Sequence, residues 1–134
     1  MREPRWVPRV VVEAVHFEQI RTHGGLAGLR DEAAFESALG RPRNRWAYGR
    51  QPDLARLAAS YAFGLARDHP VRDGYRRVAF LTAVVFLELN GYELLASDDE
   101  VVARMVALAA GRMTEARLAA WIRDRIHPTP TRAA

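Results

Sequence analysis

The sequence predicts an all-α domain of about six helices, packed around a central buried helix at about residues 77–90. Two observations support this fold class. Residues 78–89 are apolar on every side of a helical projection, interrupted by Thr82 and Glu88, which is typical of a helix inside a core. Apolar residues also recur at helical spacing in the other long segments, whereas the alternating pattern of strands is nearly absent.

The first two helices are predicted from their ends. Residues 8–22 carry an apolar stripe, and the glycine at 24 is of the type that ends a helix. Asp31 can cap a second, short helix at about residues 32–40, which Pro42 should stop. Residues 41–52 are polar, aromatic and rich in turn residues, and they predict an irregular loop.

The remaining helices follow from caps and periodicity. Asp53 caps a strongly periodic helix that ends near His69, and the central helix follows and ends at Asn90. A short connector at residues 92–96 leads to two further helices. The first begins at a capping box formed by Ser97 and Glu100, and the second begins at Thr114.

Length and composition limit the class of protein. At 134 residues we expect one domain, over residues 1–126, followed by a flexible C-terminal tail at residues 127–134. The absence of cysteine excludes disulfides and thiolate metal sites. Neither a signal-type leader nor a stretch long enough to span a membrane is apparent, so we expect a cytoplasmic protein without a membrane partner.

The candidate site is the turn before the central helix, which reads His69-Pro70-Val71-Arg72-Asp73-Gly74-Tyr75-Arg76-Arg77. The first turn of a helix presents unpaired N–H groups and a partial positive charge, which favour an anion such as phosphate. Gly74 permits close approach of the backbone, and Arg76 and Arg77 add guanidinium groups suited to phosphate.

Two other side chains of this turn suggest phosphate chemistry. A carboxylate such as Asp73 would repel a bare anion, but it fits a site in which a magnesium ion bridges the carboxylate and phosphate oxygens. His69 lies four residues earlier, where a neutral imidazole could accept a proton from an incoming hydroxyl.

This stretch resembles the Fic/Doc motif, H-x-F-x-(D/E)-G-N-(K/G)-R, in its Doc (death-on-curing) form, H-P-F-x-D-G-N-K-R. His69, Asp73, Gly74 and Arg77 match, as does the proline at 70, whereas arginine at 76 replaces lysine. The flanks resemble Doc-like chains in order and spacing over nearly the whole chain: Gly24 to Asp31, Glu36 to Pro42, Ala47 to Gly49, Asn90 to Tyr92, and Ala110-Gly111.

The resemblance implies an enzyme that uses ATP and Mg²⁺. Its Doc branch transfers a phosphoryl group to a target hydroxyl, and the known target is elongation factor Tu; the alternative is AMP transfer of the Fic type. By position, His69 would be the catalytic base and Asp73 the magnesium ligand. The phosphate-binding positions would be Gly74, Tyr75, Arg76 and Arg77.

Two departures from the motif leave a third alternative open, a catalytically degenerate interaction module. Val71 replaces phenylalanine and should anchor the loop with less buried area. Tyr75 replaces asparagine, and its bulky ring could occupy the phosphate position or swing outward to stack on a base or on the target.

Other parts of the chain suggest partners. The family places a flap beside the active site, and we assign it to residues 41–52, with Trp46 and Tyr48 as candidate target contacts. The alternative is that they fill the edge of the core, and for Tyr48 we weigh the two equally. The inhibitory pattern (S/T)-x-x-x-E-(G/N) of many Fic proteins is absent, so the resemblance implies a small antitoxin that inhibits in trans.

The net charge of +4 and the pI near 10.3 come from 20 arginines without lysine. The arginines at 41, 43 and 45, with aromatic residues nearby, are a loose signature of nucleic-acid binding. We rank direct nucleic-acid recognition below the enzyme and interaction-module hypotheses. We also interpret His16, on the first apolar stripe, as a core-edge histidine bonded to backbone.

Overall fold

The structure, a computed structural model, describes residues 1–50 and 52–130. Within these residues the chain forms six helices and two short strands, which confirms the all-α class. In chain order they are α1 (Arg9–His23), α2 (Glu32–Tyr48), α3 (Leu54–Arg67), α4 (Tyr75–Leu89), β1 (Tyr92–Leu94), α5 (Asp98–Ala109), α6 (Glu115–Arg123) and β2 (Ile126–Pro128).

The predicted helix starts are confirmed by their hydrogen bonds. Four side chains each accept a hydrogen bond from the backbone N–H three residues further on: Asp31, Asp53, Ser97 and Thr114. A side-chain oxygen in this position satisfies one of the amides that the first helical turn leaves unpaired. Gly24 ends α1 with a φ of 80°, a conformation that costs glycine nothing.

Helix α2 is longer than predicted, because it continues through Pro42 to Tyr48. The prediction of an irregular loop over residues 41–52 is therefore wrong for its first eight residues, and residue 51 lies outside the described residues. Pro42 is buried, and Arg41 and Arg45 on this turn form ion pairs with the buried Glu115 of α6, at 2.9 and 2.5 Å. These tertiary contacts offset the hydrogen bond that a proline removes.

Helix α3 is the most completely buried helix of the described chain, with ten of its fourteen residues buried. The predicted central helix, α4, packs closely against it but keeps one face half-exposed and buries six of fifteen residues. Small side chains explain the difference, since alanine, serine and glycine on α3 allow close approach of its neighbours. At Gly64 an added Cβ would lie 3.1 Å from the Cα of Ala38 on α2.

The segment after α4 also differs from the prediction. Residues 92–96 were expected to be a connector, but Tyr92–Leu94 form β1, which pairs antiparallel with Ile126–Pro128. The predicted tail at residues 127–134 thus begins within β2. The last four residues, 131–134, lie outside the described residues.

The hydrophobic core contains buried residues from all six helices, and Tyr61, Phe35 and Phe86 are its largest fully buried side chains. Tyr61 also receives a hydrogen bond from the backbone N–H of Val7, so its hydroxyl is satisfied inside the core. None of the described helices combines the length and apolar character that crossing a bilayer would need.

Replacing Asp53 tests the cap of α3. Asp53 accepts from the backbone N–H of Arg56 at 2.9 Å and pairs with the Arg123 guanidinium at 2.6 Å. We expect Asp53→Ala to lower the free energy of unfolding in urea by about 1–2 kcal/mol. Asp53→Asn keeps a capping side chain and should cost about 0.5 kcal/mol, because the lost ion pair is solvent-exposed. Equal losses of unfolding free energy in the two variants would contradict the capping role of Asp53.

The same residue makes stability depend on pH. The hydrogen bond from Arg123 holds the pKa of Asp53 below its usual range. Because the pKa is lowered in the folded state, the ionised carboxylate stabilises the fold above the ordinary pKa of an aspartate, about 4. This stabilisation is lost as the pH falls through the lower pKa of the folded state. The difference between the unmodified chain and Asp53→Asn should therefore shrink between pH 6 and pH 3.

Candidate active site

The motif loop, residues 68–74, connects α3 to α4 and packs against the loop at residues 24–31. Leu29 and Val71 form an antiparallel bridge. Three backbone hydrogen bonds accompany it: Arg30 N and Asp31 N to Pro70 O at 2.8 and 3.2 Å, and Arg72 N to Gly28 O at 3.1 Å. Val71 is 1% exposed. The loop is therefore anchored both by backbone hydrogen bonds and by this buried side chain.

His69 has an unusual backbone conformation, with a φ of +46°. A residue with a Cβ adopts this left-handed region at a cost, so surrounding contacts must hold it there. The guanidinium of Arg30 does so, because its Nε donates to the carbonyl of His69 at 2.6 Å and its Nη2 to the carbonyl of Asp68 at 2.7 Å. Arg30 thus bonds the carbonyls that follow α3 and sets the direction in which the histidine leaves the helix.

Tyr75, the first residue of α4, lies with its ring stacked on the imidazole of His69. The ring centroids are 3.9 Å apart and the planes are inclined by 21°. The Arg76 guanidinium lies 5.7 Å from the centre of the same tyrosine ring. Sequence reasoning considered a ring in the phosphate position or a ring swung outward, whereas in the structure the ring contacts the predicted base.

Asp73 is held from two sides. Its Oδ2 accepts a hydrogen bond from the backbone N–H of Leu26 at 2.6 Å. Its carbonyl oxygen lies 2.9 Å from Nε2 of His16, and because a carbonyl can only accept, this contact places a proton on that nitrogen. His16 is buried, which agrees with the predicted core-edge histidine bonded to backbone.

The N-terminus of α4 has the features of an anion site. Gly74 is its N-cap, in the left-handed conformation with a φ of 73°, and no side chain caps the first turn. Arg76 and Arg77 are exposed in that turn, and no described residue forms an ion pair with them. Positive side chains are unfavourable at the positive end of a helix dipole, and a bound anion would reverse that cost.

The motif loop contains two carboxylates, Asp68 and Asp73, and Asp73 is the predicted ligand of a metal ion. Among the described residues no group of three His, Asp or Glu side chains is placed to hold a cation by itself. Magnesium commonly uses one or two carboxylates and completes its octahedron with water and phosphate oxygens. Asp73, with one oxygen fixed by Leu26, fits that mode of binding beside a nucleotide.

The predicted base, metal ligand and phosphate-binding residues lie in the motif loop and the first turn of α4, whereas the predicted flap residues lie elsewhere. Trp46 and Tyr48 lie on α2, where Trp46 packs against the core and Tyr48 is 87% exposed. Tyr48 precedes α3 in the chain and His69 follows it, and a helix of fourteen residues is about 20 Å long. The segment beside the motif loop is instead residues 24–31.

Sequence reasoning missed two contributors to the site. Arg30 positions His69 through backbone carbonyls, and Leu26 fixes Asp73 through its own amide. Both residues lie in the stretch Gly24 to Asp31 that resembles Doc-like chains, but their roles could not be recognised, since one contact uses an exposed arginine and the other a backbone group. Each depends on the pairing of two loops that are about forty residues apart.

Comparison with known proteins agrees with this geometry. The model of the Fic/DOC family matches residues 6–87, more than half of the chain, and the chain belongs to this family. Within it, the chain is similar to the protein kinase doc of Escherichia phage P1, with 33% identity over 110 residues that cover 82% of this chain and 86% of that protein. It is also similar to the toxin Doc of Mycolicibacterium smegmatis, with 37% identity over 78 residues, 57% of this chain and 59% of that protein.

Replacing His16 tests whether α1 holds the motif loop. We expect His16→Leu to lower the free energy of unfolding by about 1–3 kcal/mol, because the carbonyl of Asp73 loses its partner. Amide hydrogen exchange of Arg30, Asp31 and Arg72, measured by NMR, should accelerate in the same variant. His23→Leu, at the exposed end of α1, is the matched control. Unchanged exchange at these three amides would contradict the anchoring role of His16.

Proposed function

We propose that this chain is a Doc-like toxin that transfers the γ-phosphoryl group of ATP to a hydroxyl of a target protein. The names of its relatives, a protein kinase and a toxin, support the proposal. The observation that carries it is the N-terminus of α4, whose N-cap, Gly74, has no side chain to bond the first amides. There Gly74 and two arginines that form no ion pair with the described residues lie next to an imidazole and an oriented carboxylate, and together they can bind and use a phosphate group.

The phosphate-binding groups are the first amides of α4 and the guanidinium groups of Arg76 and Arg77. Phosphoryl transfer depends mainly on positioning and on neutralising the charge of the transferred group. A helix N-terminus with two arginines provides preorganised donors for this charge. Gly74 lets the phosphate approach the backbone closely, since no Cβ stands in the way.

His69 is the proposed general base. It accepts the proton of the target hydroxyl while the hydroxyl oxygen forms a bond to the γ-phosphorus, and ADP leaves as the bond to its β-phosphate oxygen breaks. Proton acceptance by a positioned side chain contributes about 10²- to 10⁴-fold to a rate. The hydrogen bonds from Arg30 hold the backbone of His69 in place for this role.

Asp73 is the proposed ligand of Mg²⁺, which when bound would neutralise phosphate charge. The amide of Leu26 occupies one carboxylate oxygen and leaves the other for the metal ion, among the contacts described. One protein ligand accords with the way magnesium is held in nucleotide sites, where phosphate oxygens supply further ligands. ATP and Mg²⁺ are thus the proposed cofactors.

Tyr75 has a proposed role that its family counterpart, asparagine, cannot perform. Its ring covers one face of the His69 imidazole and restricts the rotation of the base. An asparagine at this position would donate its amide to phosphate instead. The same stack is the feature that favours the second candidate function, an interaction module without catalysis, because a base held by an aromatic ring could be withheld from the target.

The proposed partners follow from the Doc-like reading. The inhibitory pattern of many Fic proteins is absent from this sequence, and we therefore propose an inhibitor in trans, a small antitoxin whose acidic character would complement the net charge of +4. The proposed target is a translation factor such as elongation factor Tu, and the proposed compartment is the cytoplasm.

Growth of a bacterial host tests the function. We expect the unmodified chain to arrest growth and His69→Ala to abolish the arrest, because the general base is lost. His127→Ala, which replaces an exposed histidine of β2, is the matched control and should arrest growth as the unmodified chain does. Arrest that survives His69→Ala would contradict the catalytic assignment.

Tyr75→Asn separates the two candidate functions. If the stack positions the base, this variant should arrest growth no more strongly than the unmodified chain. If the unmodified chain is harmless and Tyr75→Asn arrests growth, the fold retains its site but the natural protein is an interaction module. Mass spectrometry of the translation factors in arrested cells would identify a phosphoryl or an AMP group on the target.

A further inference from the structure

A second concave site lies at the opposite end of α3 from the motif loop. One cavity, of about 350 Å³, is lined by residues of the loop between α2 and α3 and by Arg45, Arg56 and Arg123. A neighbouring cavity, of about 300 Å³, shares Arg45 and Gly49 with it and extends along α2 past Asn44 and Tyr48. We refer to the two together as the Arg45 groove.

The Arg45 groove carries an excess of positive charge. Its walls contain five arginines, Arg41, Arg45, Arg50, Arg56 and Arg123. Two carboxylates compensate them: the buried Glu115 pairs with three of these arginines, and Asp53 pairs with Arg123. Five arginines and two carboxylates leave these groups with a net charge of +3. A concave surface of one sign attracts ligands of the other sign.

Two arginines of the groove carry donors that have no acceptor among the described residues. The Nε of Arg45 is buried and has no hydrogen-bond partner among the described residues, although buried donors are nearly always paired. Arg50 is exposed at the rim of the cavity and forms no ion pair within the described part of the chain. Both arginines line a cavity large enough for a phosphate group, and guanidinium donors suit phosphate oxygens.

The second cavity has a different chemistry. Tyr48 is 87% exposed on the last turn of α2, an unusual exposure for an aromatic side chain. Asn44 lies one turn earlier on the same cavity and carries an amide with both donor and acceptor atoms. An exposed aromatic ring beside a polar amide suits a nucleobase, which can stack on the ring and bond through its edge.

We propose that the Arg45 groove binds a nucleotide, with its phosphate between Arg45, Arg50 and Arg56 and its base on Tyr48. The nucleotide is either free or one unit of a single-stranded RNA, since both present the same phosphate and base. Arg43, which the sequence groups with these arginines, lies over the ring of Trp6 and does not line the groove. The site is separate from the motif loop and does not depend on the function proposed there.

Fluorescence anisotropy of labelled AMP and of a labelled six-nucleotide oligouridylate tests the proposal. All variants are made in the full chain carrying His69→Ala, so that toxicity does not limit expression. We expect Tyr48→Ala and Arg50→Gln each to weaken binding about tenfold. Both replace exposed side chains, so circular dichroism should show an unchanged fold. Arg112→Gln, which removes an exposed arginine between α5 and α6, is the control of equal charge change and should bind normally.

The two probes distinguish the source of the nucleotide. For RNA, log Kd should rise steeply with log salt, and Arg50→Gln should reduce that slope by about one unit. Tight binding of AMP with weak dependence on salt would identify a free nucleotide. Arg77→Gln reports on the motif loop, and it should leave binding to the groove unchanged.

Three outcomes would overturn the proposal. Binding that Arg77→Gln abolishes and Tyr48→Ala leaves intact would place the nucleotide at the motif loop alone. Equal binding of labelled hexaglutamate, unaffected by Tyr48→Ala, would make the groove a site for acidic peptides. Failure of both nucleotide probes to bind would show that the groove takes no nucleotide.

Discussion

The pairing of residues 28–31 with residues 70–72 is the interaction on which the candidate active site depends. It joins two loops that are distant in sequence, buries Val71, and brings Arg30 and Leu26 to the motif loop. The left-handed conformation of His69 and the orientation of Asp73 both follow from it. A loop fixed in this way needs little reorganisation when a nucleotide binds, which is the condition for electrostatic catalysis.

Helix α3 connects this site to the rest of the molecule. Its small residues allow α2, α4 and α6 to approach closely, so the helix is enclosed along most of its length. Its C-terminal end positions His69, and its N-terminal end, capped by Asp53, forms one wall of the Arg45 groove. The buried Glu115 draws three arginines to that end, and the same ion pairs allow α2 to continue through Pro42.

The sequence predicted the features that depend on local chemistry. Asp31, Asp53, Ser97 and Thr114 mark the helix starts because a cap needs only one side chain and the next three residues. The extension of α2 was missed because a buried ion pair to a distant helix outweighs the local effect of proline. The strands were missed because three residues are too few to show a period. The stack of Tyr75 on His69 depends on the backbone turn at His69, which Arg30 stabilises from another loop.

The most direct measurement of the central claim is transfer of label from ATP to protein. The purified chain and its His69→Ala variant would be incubated with Mg²⁺ and a bacterial extract, with ATP labelled at either the γ- or the α-phosphorus. We expect one labelled protein band from γ-labelled ATP, none from α-labelled ATP, and none with His69→Ala. Label from α-labelled ATP would mean AMP transfer, and label that persists in His69→Ala would contradict the role of the motif loop.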